Sequence, residues 1–291
     1  MDTKTISKIY QTSVADHTNP YLAINWPEKV DVRGEWFMAP ELISLYGTEY
    51  YSNLNEAQQK ELSFWEAVNF FSLNVHGEKA LIQGLARRLY QNHHQPDTDK
   101  IIDRYIHVFL AEENQHMSYF GGFCTRYAKG PYRDKKVNFS SEEVVPGEED
   151  FLFFAKVLIF EEIVDVYNRK MAADKNLNLT ARAINCIHHH EEVRHLIFNR
   201  QIVSTLFQNY VSVWSEEILN RIRKYIHGYF FSTWSEYYNP DVYQDAGFED
   251  SYLIRQTAFN NPVSQKHRQK VSKSCIEFLL KTGILNQAPK L

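Results

Sequence analysis

Cysteine is scarce in this sequence. Cys124, Cys186 and Cys275 are the three among 291 residues, and no two of them form a CxxC pair. An odd, widely spaced set excludes a disulfide framework and suits the reduced thiols of a cytoplasmic protein. Long apolar runs are missing too: no stretch of 18 or more apolar residues occurs, and the opening MDTKTISKIYQTSV has no hydrophobic segment of the secretory kind. Membrane spanning and secretion are therefore not expected. Charge is nearly balanced, with 32 basic against 36 acidic side chains and a net charge of −4. That removes the electrostatic case for nucleic acid as a partner. No GxGxxG fingerprint for a flavin or nicotinamide occurs, so reducing equivalents would have to come from an external electron donor. There is no solenoid-length repeat, no low-complexity segment and no convincing run of alternating strands.

What remains is a chain with 44% hydrophobic and 14% aromatic residues, able to bury a substantial core. Its organisation reads as a single all-α domain over 1–291. Residues 1–54, with Pro20, Pro27 and Pro40, form a meandering arm packed on the body, with a short helix near 40–47. A long helical pattern runs over 55–91, and Asp97 to Asp99 supply an N-cap for a second helix reaching Lys129. A loop with two Gly/Pro breaks leads to a third helix over 148–174 and a fourth over 178–209. Further helices are expected over 212–235 and 264–283, separated by the turn-rich NPDVYQDAGFEDS.

The chemistry concentrates in INCIHHHEEVRHLIF, residues 184–198, with four histidines and two glutamates between positions 188 and 195. Spacings of four and three residues put His188, Glu192 and His195 on one helix face. His189, His190 and Glu191 point elsewhere, to solvent or to a supporting position behind the others. Imidazoles and carboxylates lined up in this way suit a transition metal. The second helix repeats the Glu-x-x-His pair as Glu113 and His116, on a face shared with Ile106, Phe109, Leu110, Met117 and Phe120. Glu112 sits one step round and is the weaker candidate.

One Glu-x-x-His is expected by chance about once in a chain of this length and means little alone. Two of them on separate amphipathic helices, with a further Glu from each of two other helices, form the di-iron carboxylate pattern of helical bundles. Both missing carboxylates are available. Glu78 shares its face with Phe71, Val75, Leu81, Ile82 and Leu85, where an isolated carboxylate would cost several kcal/mol. Glu66 is the alternative on that helix, nearer its start, where the macrodipole gives an acid an ordinary explanation. On the third helix Glu161 and Glu162 compete, with Glu161 preferred. Asp165 is read as an acceptor for a ligand imidazole N–H or as half of a surface ion pair. Arg169, Arg194 and Arg200 are read as surface ion-pair partners, with a substrate carboxylate as the alternative. His93 and His94 fall in a polar loop, and His76 faces away from Glu78.

In the order Glu, Glu-x-x-His, Glu, His-x-x-x-Glu-x-x-His, over residues 60–210, the sequence resembles the p-aminobenzoate N-oxygenase family of ferritin-like di-iron enzymes. That resemblance implies seven metal ligands: Glu78, Glu113, His116, Glu161, His188, Glu192 and His195. It implies two Fe ions, with a Mn/Fe pair as a variant, and O2 as co-substrate. It also implies oxidation of an amine through hydroxylamine and nitroso stages by a peroxo-diferric oxidant. The core residues Phe71, Phe109, Phe154, Leu158 and Ile184 would exclude water, unless they are plain packing. The competing expectations are a carbon-directed halogenase, hydroxylase or desaturase of the same family, and a ferritin-like iron-storage or peroxide-scavenging protein. Expected partners are a small-molecule substrate, free or tethered to a carrier protein, and the electron donor, with a homodimer as a candidate assembly.

Overall fold

The structure is a computed structural model and describes residues 1–91, 100–134 and 145–291. Among these, ten α-helices and one 3-10 turn follow one another, with no strand. They are α1 (Thr3–Ala15), α2 (Glu49–Ser52), α3 (Glu56–Gln91), α4 (Lys100–Tyr127), α5 (Glu148–Ala173), α6 (Leu179–Tyr210), α7 (Glu216–Glu236), α8 (Pro240–Asp245), α9 (Ser251–Asn260) and α10 (Pro262–Lys281). The all-α expectation holds. The four long helices α3 to α6 start and end within two residues of the expected bounds wherever those bounds are described. Expectations for Asp97 to Asp99, His93 and His94 lie outside the described residues.

Contacts between rings give the directions. Phe64 and Phe71 of α3 both meet Phe123 of α4, and Phe71 also meets Phe120, so the two helices are antiparallel. Phe151 and Phe154 of α5 meet Phe207 and Phe198 of α6 in the same opposed sense. Gly84 and Gly77 of α3 face Phe153 and Phe160 of α5, and Tyr105 and Phe109 of α4 approach Phe198 and His195 of α6. Neighbouring helices are therefore antiparallel all round the ring, while α4 and α5 run parallel across its diagonal. Parallel α4 and α5 cannot be joined by a tight turn, and twenty residues separate the end of α4 at Tyr127 from the start of α5 at Glu148. This is the ferritin-like arrangement.

Three elements depart from expectation. The arm opens with α1, whose N-cap Asp2 accepts from the Lys4 N–H and the Thr5 hydroxyl. Its stripe Ile6, Ile9 and Ser13 is buried against α4 and α6. TKTISKIYQTSVA has only a thin apolar stripe between polar flanks, so tertiary packing and not local propensity secures it. The short helix expected near 40–47 is the 3-10 turn Pro40–Leu42 followed by α2. The turn-rich segment after α7 holds α8 and α9, started by Asn239 at its cap and by Pro240 at the first helical position. The arm is tied to the α5–α6 turn where the Asn178 N–H donates to the Trp36 carbonyl at 2.7 Å.

Candidate metal centre

At mid-height of the bundle α3, α4, α5 and α6 each turn ionisable side chains inward. Glu78, His116 and His188 form one group with donor atoms all within 4.8 Å of one another; Glu113, Glu161, Glu192 and His195 form a second on the same criterion. The structure thus brings together all seven residues singled out in the sequence, and none is more than 3% exposed. Two of the carboxylates lie between the groups. Glu113 places one oxygen 2.9 Å from His195 Nδ1 and the other 3.4 Å from His116 Nδ1. Glu192 Oε1 lies 2.9 Å from His188 Nε2 and 3.2 Å from His195 Nδ1.

Four carboxylates buried in one cluster repel. Burial, then Glu192 and Glu113, push the Glu161 carboxyl well above the usual range, and burial lifts Glu78 to about 7. Burial opposes ionisation of Glu192 too, yet His195 and His188 hold it well below. Both oxygens of Glu78 and one each of Glu113, Glu161 and Glu192 are buried without a hydrogen-bond partner. Orphaned buried carboxylate oxygens are costly unless something binds them. Two divalent cations would match the four negative charges and take up these lone pairs. The donor set of hard carboxylates and borderline imidazoles fits iron or manganese.

The imidazoles are held from behind. His116 Nε2–H donates to Glu191 at 2.6 Å and His195 Nε2–H donates to Glu112 at 2.8 Å. Each ring thereby carries its proton on Nε2 and turns the Nδ1 lone pair inward. His188 is reversed: Nε2 faces the cluster, and Nδ1 meets the Asn168 side-chain amide at 2.5 Å. Phe109 stacks on His195 at 3.9 Å and Phe120 stands edge-on to His188 at 4.9 Å. Asn199 donates to Glu161 at 2.7 Å.

Sequence reasoning sees this supporting layer only in part: a supporting position is one of two readings for Glu191, while Glu112 reads as the weaker ligand candidate and Arg194 as a surface residue. Glu112 and Glu191 are buried partners of the histidines; a signal for them was present in the doublets of EENQH and EEVRH. Arg194 is no surface residue: it is 5% exposed and donates to Glu112 at 2.7 Å and to the Ser13 hydroxyl of α1 at 2.7 Å. Arg200 does pair at the edge of the bundle, with Glu162, which is thereby drawn away from the cluster. Asp165 meets His189 at 2.5 Å and not one of the inward-facing imidazoles. Glu66 lies apart: it accepts from the Ser44 N–H at 3.1 Å and from the Ser44 hydroxyl, which also meets Tyr243. Burial pushes it to about 8, so its explanation is not the helix dipole. His76 turns outward to the Tyr132 carbonyl at 2.7 Å.

A ferritin-like bundle with two joined carboxylate–histidine groups defines the class, a non-haem di-metal oxygenase. The profile of the p-aminobenzoate N-oxygenase AurF family matches residues 2–283, and the chain belongs to that family. Comparison with curated proteins gives no match. Among solved structures, two variants of an R2-like ligand-binding oxidase with anaerobically reconstituted Mn/Fe cofactor are similar. One is 12% identical over 91% of this chain and 93% of its own, the other 15% over 92% of each, both with TM-score 0.45. No helix among the described residues is long and apolar enough to cross a membrane.

Proposed function

We propose that this chain is a di-iron N-oxygenase that converts an amine through hydroxylamine and nitroso stages to a nitro product, with dioxygen as co-substrate. In this reading Glu78, His116 and His188 would hold one iron and Glu113, Glu161, Glu192 and His195 the other, with Glu113 and Glu192 also close to imidazoles of the first group. One observation carries it: His188, a third imidazole, presents Nε2 to Glu192 at 2.9 Å and to Glu78 at 3.4 Å. A neutral donor there leaves the pocket less negative than a fifth carboxylate would. That favours attack on a nitrogen lone pair over cleavage of a strong C–H bond.

Bound iron would supply the electrons and open coordination positions that dioxygen needs. The chain's own residues do the rest. Glu191 and Glu112 keep the protons on the outer nitrogens of His116 and His195, and Asn168 fixes the ring of His188. Phe71, Phe109 and Phe154 exclude water from the bundle interior. Reducing equivalents come from an external donor.

The test is elemental analysis of protein expressed with iron, followed by mixing the reduced protein with oxygen and an aromatic amine. About two irons per chain and an N-oxygenated product are expected. At most one metal, or zinc alone, removes the di-iron reading. Hydroxylated, halogenated or desaturated carbon products would keep an oxygenase and remove the N-oxygenase. Elution as a large cage would favour iron storage.

A further inference from the structure

A groove runs between α5, α10 and the 3-10 turn, apart from the metal centre. Its first part is a slot of about 230 Å³ walled by Leu42, Tyr46, Tyr167, Tyr237, Tyr238 and Val263. The second is a trough of about 610 Å³ lined by Arg169, Lys170, Lys270 and Lys273. The two parts share Glu41, Leu42, His267 and Lys270, so they are continuous. None of the seven inward-facing residues of the bundle lines either part.

The groove is positive in a chain whose net charge is −4. Lys266 on the slot joins the cations of the trough, and only Glu41 and Glu277 oppose them. Lys170 takes Glu41, and Lys273 faces Glu277 at 3.7 Å. Arg169, Lys266 and Lys270 are left without a carboxylate partner among the described residues. Buried Arg268, next along α10, likewise has none; it donates to the Tyr238 hydroxyl at 3.0 Å and lies over the Phe259 ring. His267, where the two parts meet, is hydrogen-bonded to the Tyr167 hydroxyl at 3.0 Å. Burial, then Lys270, Arg268 and Lys170, push its imidazole down to about 4. The ring is thus neutral at pH 7, and the positive charge of the groove resides in its lysines and arginine. On the slot wall Tyr237 is 6% exposed, yet its hydroxyl has no hydrogen-bond partner. A hydroxyl is costly to bury unless something bonds to it.

We infer that this groove is a nucleotide site, with a planar base among the tyrosines and a diphosphate beside Lys270. Tyrosine rings stack on the face of any base, and the Tyr237 hydroxyl offers one polar contact to its edge. Lys270 lines both parts, with Lys266 on the slot and Arg169 on the trough. A phosphoryl group carries up to about two negative charges. Two of them therefore match three unpaired cations, where a single carboxylate would leave two unanswered. Lysine and arginine bind phosphate through their own side chains, without a glycine-rich loop. The site stands independently of the di-iron reading.

Calorimetric titration of the full chain with ADP, adenosine and inorganic pyrophosphate tests the site. ADP should bind at least about tenfold more tightly than either of the others, since it alone fills both parts. Lys270→Met should weaken ADP about tenfold, the scale of one charge-assisted contact, and Lys270→Arg should keep most of the affinity. Tyr46→Ala should weaken ADP and adenosine while leaving pyrophosphate unchanged. Lys224→Met, on exposed α7 surface, should alter none of the three. Lys270 and Tyr46 are both exposed, so neither substitution removes a core residue. Absence of ADP binding, ADP no tighter than adenosine, or affinity surviving Lys270→Met overturns the phosphate end. ADP no tighter than pyrophosphate, or insensitive to Tyr46→Ala, overturns the slot. A nucleotide held through a bound metal would be indifferent to both variants and would overturn the whole site.

Discussion

His116 on α4 places its Nε2 2.6 Å from a carboxylate oxygen of Glu191 on α6. The relation is reciprocal, since His195 on α6 meets Glu112 on α4 at 2.8 Å. Each Glu-Glu-x-x-His segment thus uses its second glutamate on the inner face and its first to hold the other helix's imidazole. Glu191→Ala should weaken iron binding by about 10- to 100-fold, because the His116 ring loses its orientation and basicity. His190, whose side chain is 70% exposed, serves as control, and His190→Ala should bind as the parent does. Equal affinities for the two variants, by metal titration, would mean that the bond does not orient the ring.

The two groups of donors predict unequal losses. Glu113 and Glu192 face imidazoles of both groups, so Glu113→Ala or Glu192→Ala should abolish binding of both irons. Glu78 belongs to the three-membered group alone, and Glu78→Ala should retain about one iron in the intact four-membered group. Elemental analysis separates the outcomes; full loss in Glu78→Ala would mean that the two positions fill only together.

His188→Ala leaves six donors, so iron should remain while the reaction of the reduced protein with oxygen changes its rate or its product. Stopped-flow absorbance on this variant beside His190→Ala provides the comparison. Indistinguishable traces would take away the main support for N-oxygenation.

Glu66 gives the protein a pH dependence of its own. Folded, its carboxyl sits at about 8 because burial disfavours the charge; its ordinary value is 4.5. Below pH 4.5 both folded and unfolded chains hold the proton and the contribution is complete. As pH rises from 4.5 to 8 the unfolded chain ionises first, so stability falls, by on the order of a few kcal/mol. Glu66→Gln, which stays neutral, should flatten this decline in urea unfolding measured between pH 5 and 8. A parallel decline in both proteins would exclude Glu66 as its source.

Among the described residues Arg194 is the guanidinium that reaches the supporting layer, donating to Glu112 and to Ser13. Arg194→Met should destabilise the fold by about 3–5 kcal/mol, since it removes the guanidinium of a buried ion pair and leaves the Glu112 carboxylate with the His195 N–H alone. Ser13→Ala removes a neutral contact and should cost only about 1 kcal/mol. Denaturant midpoints rank the two, and a reversed order would put the weight on α1 packing.

The sequence by itself determined the four long helices and six of the seven inward residues, with Glu161 preferred over Glu162 for the seventh but not settled. Periodicity near 3.6 states which side chains share a face, and a carboxylate such as Glu78 among Phe71, Leu81 and Leu85 betrays itself on one helix alone. Glu161 over Glu162 was decided by tertiary structure, where Arg200 draws Glu162 outward. So were the roles of Glu112 and Arg194, and the choice of a supporting position over solvent for Glu191, since all three sit one step off the apolar stripe until a second helix covers them. Helix α1 belongs with these, its thin stripe of Ile6 and Ile9 stable only against α4 and α6. A helical repeat fixes angles about one axis, whereas a hydrogen bond between helices depends on where two axes cross. That crossing is set by the packing of the whole bundle.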